Sequence, residues 1–237
     1  NKRWYWINNI KSKNKKIGQV VMKINLVING ITHKVNIQPL ESLLVTIRKL
    51  GFHSVKFSDE HGFAGADTIL LDGKPVNSSI LLSTQAENHL ITTVEALGEF
   101  HDKGWNKKNG LHPLQTAFIE FGAIQCGYCT PAQLLAAKSL LDNNLQPTEE
   151  EVRTAIAGVL CRCTGYEKPV KAILHAAELI RGEKNIKVNV KDLFHCDEDE
   201  NGSRQKKSYS VVGKPEFKVD AVKLVQGKSA FTSDIYM

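Results

Sequence analysis

This sequence is nowhere apolar for long. No run approaches the ~20 residues that cross a bilayer, and the best candidate, 132–141, contains Gln133 and Lys138. Polar residues interrupt Trp4–Ile10, so no secretory hydrophobic segment follows the basic N-terminus. No membrane partner is expected, and the location is expected to be cytoplasmic. Cysteine is also scarce, five in 237 residues, and four of the five form two close pairs. Persistent disulfides are uncommon in a reducing compartment, so close pairing favours metal binding. The net charge of +6 lacks a reading helix, because Lys2, Arg3, Lys11, Lys13, Lys15 and Lys16 crowd the N-terminus. That argues against a nucleic-acid partner. With 42% hydrophobic residues, the chain can build one or two compact domains.

Residues 1–22 read as a basic extension. The chain opens on Asn1, and a strand pattern follows Met22 at once, so the natural start is expected near Met22. The alternative is a genuine basic arm. Lys23–Ile28 alternates, with Ile24, Leu26 and Ile28 on one face. Asn29-Gly30 is the preferred pair for a tight hairpin. Ile31, His33, Val35 and Ile37 then share a face of the returning strand. His33 there reads as an edge-strand residue, not a ligand. Leu40, Leu43, Leu44, Ile47 and Leu50 recur at helical spacing, and Gly51 ends the helix. Asp67–Leu71, closed by Asp72-Gly73, and Asn88–Val94 read as further strands. This element order predicts an α+β fold class, with a β-grasp ferredoxin-like domain over residues 23–98.

Residues 99–112 are turn-rich and read as a linker. From Pro113 the pattern turns helical. Leu114, Ala117, Phe118 and Phe121 share one face. Thr130-Pro131 predicts an N-cap followed by proline at the first helical position. Thr148–Glu151 is a capping box. A fourth helix is expected from about Lys168 to Arg181. Together they predict a four-helix bundle over residues 113–182. Residues 183–210 are polar, contain Cys196 as an unremarkable thiol, and read as a second linker; 211–237 resumes folded-looking sequence.

Cys126-Gly-Tyr-Cys129 falls between the first and second predicted helices, and Cys161-Arg-Cys163 between the third and fourth. Two helix–loop–helix units thus bring four soft thiolates to one end. Such thiolates select zinc or iron–sulfur centres. Spacing alone leaves three readings open: an iron–sulfur cluster, zinc, and a disulfide pair. The C-x-C half is less usual for zinc, whose ligand pairs are typically separated by two to four residues.

QCGYCTP at Gln125–Pro131 and LCRCTGY at Leu160–Tyr166 resemble the iron–sulfur subunits of the molybdenum hydroxylases. That family includes xanthine dehydrogenase, aldehyde oxidoreductase and the small subunit of carbon monoxide dehydrogenase. HPLQTAFIEFGA, NLQPTEEEVRTAIAGV and LLDGKPVNSS carry the same resemblance, which spans nearly all of residues 23–182. It implies one [2Fe–2S] cluster held by Cys126, Cys129, Cys161 and Cys163, with Gln125 and Cys163 touching a molybdopterin. The alternative for Gln125 is a loop residue capping its own backbone. Ala132 stands where the family has glycine, and Val159 where it has asparagine.

The family's first domain normally carries a second cluster. Here the positions of its ligands read Asp59, Ala64, Asp67 and Ser79. Hard oxygen suits iron–sulfide poorly, so no distal cluster is expected. A hard-metal site from Asp59, His61 and Asp67 is the alternative to a solvated loop.

Val211–Met237 resembles the opening of the family's molybdopterin-binding subunit, with no flavin domain between. This arrangement is similar to selenium-dependent xanthine dehydrogenase-like and selenate-reductase-like molybdenum-binding subunits. The chain is therefore expected to be the N-terminal fragment of an oxidoreductase acting on a purine, a related heterocycle or an aldehyde. Its molybdopterin, of the plain or cytosine dinucleotide type, would be bound mainly by a downstream domain of the same polypeptide. A separate flavin or other electron-acceptor protein is the expected partner. The competing function is a structural zinc-binding or docking module without redox activity.

Overall fold

The structure, a computed structural model, describes residues 21–97, 111–183, 218–228 and 231–235. Nearly all of the basic extension and of both linkers, Cys196 included, lies outside the described residues. So does much of the 211–237 segment.

The first unit is a small mixed sheet. β1 (Met22–Ile28) and β2 (Ile31–Ile37) pair antiparallel in register Ile28↔Ile31. Asn29 and Gly30 take φ of 52° and 80°, the left-handed pair this tight turn requires. β3 (Thr68–Leu71), β4 (Lys74–Asn77) and β5 (Leu90–Thr92) complete the order β2-β1-β5-β3-β4, with β5 parallel to β1. The second hairpin turns on Asp72-Gly73 in the same conformation. Its return strand β4 was not expected. Pro75 obscures it, and proline is tolerated there because β4 is an edge strand.

α1 (Leu43–Lys49) supplies Leu43, Leu44 and Ile47 to a core with Ile24, Leu26, Ile28 and Ile91. Each fully buried Leu or Ile contributes roughly 1.5–3 kcal/mol. Leu40 does not join that helix. It precedes the N-cap Ser42 and is 83% exposed, so its match to the helical period was accidental. His33 lies on the edge strand β2, as expected, with its ring edge-on to Phe52 at 5.7 Å.

The second unit contains α2 (Pro113–Glu120), α3 (Thr130–Asn143), α4 (Glu149–Ile156) and α5 (Glu167–Arg181). They share one core, in which Leu114, Phe118, Leu134, Val152 and Ile173 are buried. The capping box at α4 forms as read: Thr148 Oγ1 accepts from the Glu151 N–H at 3.2 Å, and Glu151 accepts from the Thr148 N–H at 2.7 Å. At α3 the expected cap is displaced by one residue. Cys129 already has helical angles and occupies the cap, while Thr130 is the first helical residue.

The two units touch through β3. Ile69 faces the sheet core and Leu70 the helical core, which explains a strand apolar on both faces. Ser139 Oγ on α3 donates to the Gly73 carbonyl at 2.8 Å. A short α6 (Ala221–Val225) returns to the helical core through Ala221, Leu224 and Val225.

Candidate metal centre

The loop between α2 and α3 presents Cys126 and Cys129, and the loop between α4 and α5 presents Cys161 and Cys163. All four are unbridged in this structure. Cys126 lies against Cys163, and Cys129 against Cys161. Each contact therefore takes one thiol from each loop. Two pairs of this kind suit two metal ions, each bound by two thiolates.

The thiols resist ionising together. Burial, with the neighbouring Cys163, pushes Cys126 above the ordinary thiol range. Burial and the Cys161 thiol push Cys129 far upward. Cys161 moves down. Its burial opposes this, but the Thr164 hydroxyl at 3.1 Å and the amides of Thr164 and Cys163 favour the thiolate. Four thiolates here need a compensating cationic centre, and soft iron or zinc ions meet that need.

The loops are shaped for close approach. Gly127 has φ +83°, and a Cβ there would lie 2.3 Å from Leu224 Cδ2. Tyr166 organises the other loop. Its hydroxyl accepts from the Cys161 N–H at 2.8 Å and donates to the Val159 carbonyl at 3.2 Å. Tyr166 reaches this position with φ +68°, an uncommon conformation for a bulky side chain. Gln125 is exposed at the same end as the exposed Cys126 and Cys163.

The four positions without cysteine are not a disordered remnant. Asp59 accepts from the backbone N–H groups of His61, Phe63 and Ala64 at 2.8, 3.1 and 2.9 Å. These bonds, Ala64's first, hold its carboxyl below the usual range. Asp67 is buried and accepts from the Ser79 N–H at 2.7 Å. The Asp59 carboxylate oxygens are thus turned to backbone N–H groups of their own loop. The loop is folded around its own carboxylate.

The profile of the [2Fe-2S] binding domain family matches residues 93–174. The small FeS subunit of nicotinate dehydrogenase from Eubacterium barkeri is 42% identical over 156 residues, covering 65% of this chain and 94% of that subunit. The chain belongs to the iron–sulfur subunits of the molybdenum hydroxylases. The crystal structure of the aldehyde oxidoreductase from Desulfovibrio desulfuricans superposes with a TM-score of 0.71 at 34% identity. That match covers 90% of this chain but 22% of the larger enzyme, so the chain spans about a fifth of it. Quinoline 2-oxidoreductase from Pseudomonas putida matches with a TM-score of 0.62 and 37% identity, over 70% of this chain and 99% of the matched subunit. As a member of the family, the chain is an electron-transfer iron–sulfur segment of an oxidoreductase. The zinc or docking-module reading is not favoured. No described helix is long and apolar enough to cross a membrane.

Proposed function

We propose that Cys126, Cys129, Cys161 and Cys163 hold one [2Fe–2S] cluster, and that Gln125 and Cys163 face a molybdopterin. The observation that carries this reading is the cross-loop pairing of the four thiols. A bound [2Fe–2S] cluster supplies one-electron transfer. The protein's part is to hold the thiols in two pairs, to donate backbone N–H groups near them, and to cover Cys129 with apolar side chains. The amide of Gln125, which has no partner among the described residues, offers both a donor and an acceptor to a pterin edge.

The proposed organisation is a β-grasp ferredoxin-like unit at 23–98 and a four-helix bundle at 113–182, leading through 183–210 into a molybdopterin-binding domain of the same polypeptide. A separate flavin or other electron-acceptor protein would take the electrons. The substrate class is a heterocycle or an aldehyde. Nicotinate, quinoline and aldehyde in the names of the relatives support that class. Iron analysis and EPR of the reduced, natively loaded protein test the centre. Two irons per chain and one [2Fe–2S] signal are expected; a colourless zinc-loaded protein, or two distinct signals, would overturn the reading.

A further inference from the structure

Two segments of the tail, 218–228 and 231–235, return to the cysteines from far along the chain. Leu224 packs where Gly127 leaves room for it, and the Val225 carbonyl accepts from Gln115 Nε2 at 2.8 Å. Phe231 meets the Tyr128 ring edge-on, with centroids 5.1 Å apart. Tyr128 lies between the first two cysteines. Its hydroxyl donates to the Phe57 carbonyl at 2.6 Å and lies 3.3 Å from Ser233 Oγ.

The tail has a charged anchor. Asp234 pairs with Arg48 at 3.0 Å and with Lys56 at 2.8 Å, and the three side chains are 3%, 4% and 1% exposed. Lys56 Nζ also stands 4.6 Å from the centre of the Phe231 ring. Buried cations need a paired anion. Arg48 and Lys56 belong to the sheet unit, so the anchor fixes the tail to that unit while the tail's apolar residues reach the cysteine loop.

We infer that residues 218–228 and 231–235 form a strap that positions the Cys126–Cys129 half of the centre. Asp234 anchors it, and Leu224, Phe231 and Ser233 hold the loop. The Cys161–Cys163 loop is held separately, by Tyr166 and by the Ala64 carbonyl, which accepts from the Leu160 N–H. The strap therefore acts on one cysteine pair of the sequence and not on the other. The inference rests on the proposed cluster only for its effect on the loaded protein.

The test uses the full chain. In metal-free protein, maleimide labelling followed by peptide mapping gives the ratio of Cys129 to Cys161 modification. Asp234→Asn and Phe231→Ala should each raise that ratio about tenfold, the signature of local rather than global opening. Phe231→Tyr keeps the edge-on ring and should restore the parent ratio. In loaded protein, Phe231→Ala should speed loss of the visible spectrum to a chelator and shift the midpoint potential, while Phe231→Tyr should do neither. An unchanged ratio in Phe231→Ala, or equal acceleration at Cys129 and Cys161, overturns the strap. If Asp234→Asn fails to fold, Phe231→Ala still decides. Absence of a [2Fe–2S] spectrum in the parent would overturn the cluster reading and leave the labelling result to judge the strap.

Discussion

Leu160 donates its backbone N–H to the Ala64 carbonyl at 2.9 Å. Ala64 lies in the loop that has no cysteine, and Leu160 directly precedes Cys161. The loop without cysteine thus braces the cysteine loop that follows Leu160. Its neighbour Gly65 comes so close that a Cβ would sit 2.0 Å from the Gly158 carbonyl oxygen.

Gly65→Ala is therefore expected to separate the two loops. Gly65 has φ +64°, which by itself costs an L-residue on the order of 1–2 kcal/mol. The clashing atom is backbone oxygen, so no rotamer change relieves it. A total loss above about 2 kcal/mol is expected in urea unfolding, together with faster labelling of Cys161. A stability change below about 0.5 kcal/mol, the size of an ordinary surface substitution, would show that the contact braces nothing.

Local chemistry made much of this fold legible. Asn29-Gly30 announces its hairpin because both residues must take positive φ. Thr148 and Glu151 announce a helix start because each satisfies the other's backbone N–H. The cysteines were legible from spacing, and resemblance added their role. What escaped depends on distant partners. Nothing near Lys56 or Arg48 signals that Asp234, well over a hundred residues later, neutralises both. Nothing near Tyr128 signals Phe231. Tyr166 closes the LCRCTGY segment, but its contact with the Cys161 amide depends on a left-handed backbone that few residues adopt.

Tyr166→Phe isolates that contact. The ring and its packing remain, while the Cys161 N–H loses its acceptor. Leaving such a partly buried donor unsatisfied costs about 1–3 kcal/mol. Denaturant unfolding should show that loss. Visible circular dichroism of the loaded protein should change as well, because the amide of a proposed ligand is freed. A parent-like stability and spectrum would remove Tyr166 from the site.

Asp59→Ala should unfasten the cysteine-free loop. Hydrogen exchange at the amides of His61, Phe63 and Ala64 should accelerate together, since one carboxylate serves all three. Asp59→Asn retains one acceptor oxygen and should slow the exchange of part of the set. Because the Asp59 carboxyl lies below its usual range, this fastening is present above about pH 4, the unfolded value, and is lost as pH falls through the lowered one. Independent exchange rates at the three amides would contradict a shared carboxylate.

His112 should give the fold a specific acid sensitivity. It caps α2, with Nδ1 accepting from the Leu114 N–H at 3.1 Å. Burial, with a smaller contribution from Lys138, lowers its pKa from 6.5 to about 3. The native imidazole is therefore neutral where the unfolded one is protonated. The unfolded state binds the extra proton throughout that interval, so its contribution to stability is full above pH 6.5 and falls with acidity. The slope for one proton is about 1.4 kcal/mol per pH unit. Between about pH 6.5 and 5.5 carboxylates of ordinary pKa stay more than about nine-tenths ionised, so the difference between parent and variant slopes in that window isolates the histidine. His112→Asn keeps a capping oxygen and removes the titration. Urea titrations across the window should show the parent losing stability more steeply than the variant, whatever the variant's absolute stability. Parallel slopes would mean that His112 takes up its proton within the folded protein.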